Sequence, residues 1–445
     1  MIVSVTLENW MSFRDPVTFS MVAGRERQHG SRVPKVRKYP VRLLPVAAIY
    51  GGNASGKTNF FRGLSFAKRF VTDGLRPGAR IPVEPYRLDP DAAKRPTRFV
   101  FELLIDETIY EFAFAVTEEA VIDERLVRVT SAGERTLYER RSGQTRLEPP
   151  LSDEASLRYA AEGTRDNQLF LTNTVSQKIE AFEPVYDWFR DGLRLVAPDS
   201  RYEAFEQFID EDDPLAAQMN DLLAQVDTGI VRLGGEETPL SSIHLPDPLR
   251  TELLEKLAPG DTARLIGSAQ DDRLTVSRRG SGLVAKRLVT YHRGSTGDEV
   301  QMSLVRESDG SRRVIDLLPA LLDLASSGSK RVYVIDEIDR SMHTLLTRRL
   351  LEHYLGSCSA ESRSQLLFTT HDVLLMDQDL LRRDEMWVAE RDGQGVSTLI
   401  SFAEYKGIRY DKDIRKSYLQ GRLGGVPRIL LTTGCPASES GERGG

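Results

Sequence analysis

Eight consecutive residues, Gly51, Gly52, Asn53, Ala54, Ser55, Gly56, Lys57 and Thr58, follow the pattern G-x-x-x-x-G-K-[ST]. Glycines at these points let main-chain N–H groups curl around a polyphosphate. The lysine then reaches the β- and γ-phosphates, and the hydroxyl beside it holds Mg²⁺. The flanks agree with this chemistry. Val46-Ala47-Ala48-Ile49-Tyr50 reads as a short buried strand, and Phe60, Phe61, Leu64 and Phe70 mark a helix from Thr58 to about Phe70. A nucleotide-phosphate site on a strand–loop–helix unit is therefore expected.

A second constellation lies far along the chain. Val332-Tyr333-Val334-Ile335 is a β-favouring apolar run that ends in Asp336 and Glu337, as a doubly buried parallel strand does. At the carboxyl end of such a strand Asp336 can hold Mg²⁺ through water, and Glu337 can orient or deprotonate an attacking water. An acid pair at a strand end is often only a solvated cap; the phosphate loop is what gives this one a functional reading. A further strand, Gln365 to Thr370, ends in His371, a candidate contact for the γ-phosphate or the water. The run Glu307-Ser308-Asp309-Gly310-Ser311 precedes a helical stripe of Val314, Leu317, Leu318, Leu321 and Leu322. Ser308 and Gly310 thus sit at a helix N-terminus, an anion site or simply a capped start. Pro319 inside the stripe is expected to kink the helix. His29, His244, His292, His343 and His353 show no metal-ligand spacing, so no metal beyond Mg²⁺ is expected.

The elements that must position these residues lie at both ends of the chain. Residues 1–20 read as two short strands around a turn, and 97–130 as antiparallel strands separated by acidic turns. Residues 167–190 and 201–226 look helical, while 299–420 alternates strand and helix as an α/β domain does. The plainest organisation is an α/β unit assembled from 1–130 and 291–430, a partly helical insertion at 131–290, and a disordered tail at 431–445. The length of 445 residues would otherwise suggest up to three domains. Sixty basic and 66 acidic side chains give a net charge of −6, which offers no global reason to bind nucleic acid. Local charge differs: Arg25, Arg27, Arg32, Lys35, Arg37, Lys38 and Arg42 cluster against Glu26 alone, a solvated loop or a phosphate-contacting patch. Cys358 and Cys435 are the only cysteines, which excludes a disulfide framework and a cysteine zinc site. No apolar run approaches the roughly 18 to 20 residues of a membrane span, and no secretory signal is visible. A cytoplasmic location follows as the expectation, with no membrane partner.

In this order the motifs resemble an ABC-type ATPase head, closer to the SMC, Rad50, RecF and OLD-like ATPases than to transporter subunits. Leu7-Glu8-Asn9-Trp10-Met11-Ser12-Phe13-Arg14 is similar to the N-terminal signature of that group, and Asn53 with Asn59 to its phosphate loop. More narrowly, Asp227-Thr228-Gly229-Ile230, Glu307-Ser308-Asp309-Gly310, Ser341-Met342-His343 and residues 418–427 resemble compact AAA-family ATPases of bacterial abortive-infection and phage-defence operons. The resemblance implies a P-loop fold with a mixed sheet, helices and an antiparallel β subdomain, carrying an α-rich insertion.

It also implies roles. Lys57, Glu337 and His371 would be catalytic. Gly51 to Asn59, with Ser12, Phe13 and Arg14, would bind ATP, and Thr58 and Asp336 would hold Mg²⁺. Ser308 and Gly310 would cap the γ-phosphate of ATP held by a second subunit, with Arg340 to His343 at the junction of a homodimer or higher oligomer. The signature departs from Leu-Ser-Gly-Gly-Gln, and no glutamine loop is evident. Three functions are implied: a sensor ATPase of a phage-defence system with a separately encoded effector, a RecF- or Rad50-like ATPase clamping DNA, or an ATP-binding scaffold of low turnover. The DNA reading would use the basic run together with Lys406, Arg409, Lys412, Arg415, Lys416 and Arg422, but lacks a coiled coil.

Overall fold

A computed structural model describes residues 1–130, 133–202, 205–209, 214–239, 243, 246–258, 261–266, 273–279, 282–405 and 414–420. The expectations for the tail, His244, Lys406, Arg409, Lys412, Arg422 and Cys435 fall outside these residues. The chain begins with β1 (Ile2–Glu8), β2 (Val17–Ser20), β3 (Val46–Tyr50) and α1 (Lys57–Thr72). There follow β4 (Thr97–Ile105), β5 (Thr108–Val116), β6 (Val121–Thr130), β7 (Gly133–Arg141) and β8 (Gln144–Leu147), then α2 (Ala155–Glu162), α3 (Phe170–Ser176) and α4 (Glu183–Asp187). The middle holds β9 (Leu193–Val196), α5 (Pro214–Gln225), β10 (Ile230–Thr238), α6 (Asp247–Lys256), β11 (Thr262–Ile266), β12 (Arg273–Arg279), β13 (Gly282–Arg293) and β14 (Glu299–Ser303). The last part comprises α7 (Asp309–Ala325), β15 (Val332–Ile335), α8 (Thr344–Ser357), β16 (Gln365–Thr369), β17 (Met386–Arg391), β18 (Ser397–Ser401) and α9 (Ile414–Leu419).

The site depends on a six-stranded sheet ordered β18-β17-β3-β16-β15-β9, in which all but β18 run parallel. Its strands are apolar on both faces because both are covered. In β3, Ala47 and Ile49 enter one core with α1 and the aromatic side chains of β4 and β5, while Val46, Ala48 and Tyr50 enter a second core with α5, α7 and α8. The first core is aromatic: Phe66 stacks on Phe99 at 5.3 Å and Phe99 on Phe114 at 5.1 Å. Such contacts add about 0.5–1.5 kcal/mol each beyond area burial.

A seven-stranded antiparallel sheet, β2-β1-β4-β5-β6-β7-β8, covers α1, and β10-β13-β12-β11 with β14 beside β13 forms a third sheet. The limits expected for an insertion at 131–290 are not boundaries in this fold. Strands β7 and β8 extend the N-terminal sheet, β9 is the edge strand of the central one, and β14 beyond residue 290 completes the third. Pairing partners of this kind are distant in sequence, so composition does not show them. Among its described residues the stretch holds both helices and strands. The helix expected over 167–190 is broken into α3, α4 and a π-turn at Trp188–Gly192, with Lys178 at φ 60° interrupting it. Of the helix expected over 201–226, the described residues show α5, and Asp227 to Gly229 turn the chain into β10. Helix α7 continues through the buried Pro319.

One polar side chain joins the two large sheets. Gln365, fully buried at the start of β16, accepts from Ile2 N at 2.6 Å and donates to the carbonyls of Ile2 and Leu44 at 3.0 Å each. Gln365→Leu keeps the bulk but leaves these groups facing apolar surface, at about 1–3 kcal/mol per unsatisfied group. The variant is expected to be less stable by about 2–5 kcal/mol, read as a lower midpoint of urea unfolding; an unchanged midpoint would remove Gln365 from this role.

Candidate nucleotide-phosphate site

The carboxyl ends of β3, β16 and β15 deliver the loop of residues 51–58, His371 and the Asp336–Glu337 pair to one edge of the central sheet. Asn53 and Ala54 form the exposed tip of the loop, with Ala54 in left-handed backbone at φ 61°, and Ser55, Gly56 and Lys57 are buried. Lys57 Nζ donates to the carbonyls of Gly51 at 2.8 Å and Gly52 at 3.0 Å and lies 3.5 Å from His371 Nδ1. Burial pushes its ammonium down to about 8, against the upward pull of Asp336, Glu337 and Asp339. Gly56 has φ 113°, and a Cβ there would meet Ser397 Oγ at 2.6 Å. Only glycine combines that conformation with that contact. The first amides of the sixteen-residue α1 lack intrahelical partners by construction, and with the helix dipole they favour an anion.

Asp336 is fully buried. Thr369 Oγ1 donates to its Oδ1 at 2.5 Å and at the same time accepts from Glu337 N at 2.8 Å. Asp336 Oδ2 is buried with no protein partner. A desolvated carboxylate oxygen left unpaired is costly unless a cation or its water takes the lone pairs. The donor set therefore fits Mg²⁺, which Thr58 and Asp336 would hold; when bound it supplies positive charge against phosphate oxygens. Glu337 has φ 50°, a conformation worth about 1–3 kcal/mol of strain in a non-glycine residue and concentrated at functional positions. Its Oε1 lies 4.0 Å from His371 Nε2. Burial first, and then Lys57, hold His371 below its ordinary value, so its imidazole is neutral near pH 7 and can accept or donate. Thr369, Ser397 and Asp339 were not legible as site residues. Asp339, whose Oδ1 is buried and unpartnered, had as its signal only the spacing Asp336-x-x-Asp339.

Ser308 caps α7 by accepting from Ser311 N at 3.1 Å. A Cβ at Gly310 would stand 2.6 Å from the carbonyl of Ser341, so this turn is pressed against the segment Arg340 to His343. Ser341 has φ 61°, and His343 Nδ1 caps α8 by accepting from Leu345 N at 3.2 Å. Glu307 is buried, accepting from Thr290 Oγ1 at 2.5 Å and lying 2.7 Å from His292 Nε2. Ser308 Oγ also lies 3.0 Å from Ser311 Oγ.

The N-terminal motif packs beside the loop. Phe13 is fully buried in the aromatic core, and its ring packs rather than facing a nucleotide. Arg14 donates to Asp15 at 3.0 Å and Gln394 at 3.4 Å. Ser12 Oγ takes hydrogen bonds from Asn59 Nδ2 and Ser397 Oγ, both 2.8 Å, and Trp10 Nε1 donates to the Asn59 carbonyl at 2.8 Å. The basic run is partly spent in ion pairs: Arg32 with the buried Glu385 at 2.5 Å, and Arg37 with Glu361 at 2.9 Å.

Thr369→Val preserves shape and removes the hydroxyl that orients Asp336 and holds Glu337 N. It is expected to weaken the Mg²⁺ dependence of nucleotide binding about 10- to 100-fold, measured by titrating Mg²⁺ against a fluorescent ATP analogue. Wild-type Mg²⁺ affinity would show that the hydroxyl is only a strand end. The free protein releases the Lys57 proton as pH rises through about 8, and phosphate needs the charged form. Affinity for a non-hydrolysable ATP analogue should therefore hold below that pH and fall roughly tenfold per unit well above it; a flat profile from pH 7 to 10 would contradict this.

Among the described residues, no helix is long and apolar enough to cross a membrane. No curated protein matches the chain in sequence. Solved structures similar over most of its length include two SMC heads. The SMC head domain from Thermotoga maritima has 12% identity, with 90% of this chain and 98% of that one covered, at a TM-score of 0.36. An SMC head bound to the C-terminal winged-helix domain of ScpA has 15% identity, 90% and 97% coverage and a TM-score of 0.38. A family model, described as an AAA domain, putative AbiEii toxin, type IV toxin–antitoxin system, matches residues 46–377, from the strand before the phosphate loop to beyond His371. With about three quarters of its length inside that match, the chain belongs to this family of AAA-domain proteins.

Proposed function

We propose that the protein binds ATP with Mg²⁺ at residues 51–58 and hydrolyses it slowly across a head-to-tail dimer. In that dimer Ser308 and Gly310 of each copy cap the γ-phosphate bound by the other. The observation that carries the reading is the arrangement of Lys57, Asp336, Glu337 and His371 on adjacent strand ends, with Glu337 held in strained backbone through Thr369. Lys57 neutralises phosphate charge, Asp336 and Thr58 hold the metal, and Glu337 takes a proton from the attacking water as its oxygen approaches the γ-phosphorus. His371, neutral and beside Lys57, steadies the water or the phosphate oxygen. In such a two-fold dimer each site is completed by the first turn of α7 from a second copy.

Family membership supports a role as the sensor or regulator of a bacterial defence system, acting on a separately encoded effector. In that role ATP occupancy sets the lifetime of the closed dimer, and hydrolysis resets it.

Glu337→Gln keeps size and hydrogen bonding but removes the base. Turnover is expected to fall about 10²- to 10⁴-fold, while ATP and Mg²⁺ shift the variant from monomer to dimer in sedimentation velocity. Wild-type turnover would refute the assignment of the base, and a variant that stays monomeric with saturating ATP would refute the dimer.

A further inference from the structure

One side chain joins the start of α7 to the end of β15. Arg313 is 5% exposed. Its Nη2 donates to the main-chain carbonyls of Asp336 at 3.4 Å and Glu337 at 3.5 Å, its Nη1 donates to the carbonyl of Ala197 just beyond β9 at 3.3 Å, and its Nε has no partner. The three bonds are long and the fourth is unmade, so the guanidinium is not saturated by this arrangement.

The attitude of Glu337 depends on few fasteners. Its own N–H is held by Thr369 Oγ1 at 2.8 Å, and the next N–H, of Ile338, by the carbonyl of Thr369 at 3.1 Å. Both belong to β16, buried in the middle of the sheet. The Glu337 carbonyl accepts from Arg340 N at 3.1 Å within its own turn and from Arg313 Nη2 at 3.5 Å, and of these two Arg313 comes from α7, whose first turn carries Ser308 and Gly310. That turn also presses on the Ser341 carbonyl four residues beyond Glu337. A displacement of α7 therefore pulls on the peptide that sets the backbone of Glu337, while β16 stays fixed.

We propose that Arg313 is a positioning residue that holds the Glu337 carbonyl and so transmits engagement of Ser308 and Gly310 to the carboxylate of Glu337. The proposal rests on the reading of Glu337 as the base of ATP hydrolysis. Being permanently charged, the guanidinium keeps all its N–H groups as donors at any working pH. Its role is to aim a group that touches the water, with no contact to ATP of its own.

The test uses Arg313→Ala, Arg313→Gln and Arg313→Lys in the full chain. Arg313→Ala and Arg313→Gln are expected to lower kcat about 10- to 100-fold, with the Kd of a fluorescent ATP analogue moving by less than about twofold and Arg313→Lys restoring part of the loss. Amide hydrogen exchange over residues 336–341 should quicken in Arg313→Ala and Arg313→Gln, while peptides of the phosphate loop and α1 keep wild-type rates. Unchanged kcat in both variants, a Kd that moves as far as kcat, or unaltered exchange over 336–341 would each overturn the proposal. If Arg313→Ala does not fold, the Gln and Lys variants decide by the same readouts. Failure of the hydrolysis reading is separable: it appears as wild-type turnover in Glu337→Gln, and the exchange data still decide whether Arg313 holds the segment.

Discussion

Strand β16 has five residues and must satisfy polar groups at both ends while its middle is buried on both faces. At its amino end Gln365 closes the gap between the central and antiparallel sheets through Ile2 and Leu44. At its carboxyl end Thr369 gives its hydroxyl proton to Asp336 and receives the N–H of Glu337. Between them Leu366 and Phe368 enter one core and Leu367 the other. Because β16 separates β3 from β15, the strand that feeds the phosphate loop and the strand that carries the acids stand about 9.5 Å apart, two strand spacings. That interval is the width that Lys57 and His371 span, and the rest of the site is arranged around it.

The phosphate loop and the acid pair were legible because their chemistry is written in contiguous residues, and a contiguous pattern survives any arrangement of the remaining chain. The antiparallel strands after residue 97 were legible too, since each supplies its own alternation and turn. Strand β9 was not. Leu193 to Val196 are four residues after a helical stretch, and only their pairing with β15 makes them a strand. The same limit hides the pairing of β7, β8 and β9, which are defined by neighbours elsewhere in the sequence. Phe13 shows a different limit. A motif says that residues are used together, but whether a side chain faces a ligand or a core depends on burial, and Phe13 is fully buried. Thr369 looked like the end of an apolar run; its function comes from the strand beside it.

Helix α7 supplies the complementary constraint. Asp323 near its carboxyl end binds Arg331 at 2.8 Å and Tyr333 at 2.7 Å, anchoring it to the start of β15. Asp316 in its middle takes the fully buried Arg273 of β12 at 2.6 Å and Tyr202 N at 2.8 Å, tying it to the third sheet. Its first turn, by contrast, has an exposed Ser308 and a close approach at Gly310 to the Ser341 carbonyl. A helix held firmly at its middle and far end can respond to a ligand at its first turn only by a small rotation about those anchors, since packed cores shift between discrete arrangements rather than deforming continuously. On the proposed reading this geometry gives a switch with a short lever. The partner's phosphate acts at Ser308, the anchors at Asp316 and Asp323 stay in place, and the movement is felt where α7 touches β15. On that reading a small displacement at this point shifts the strained backbone of Glu337 toward the attitude in which its carboxylate meets the water.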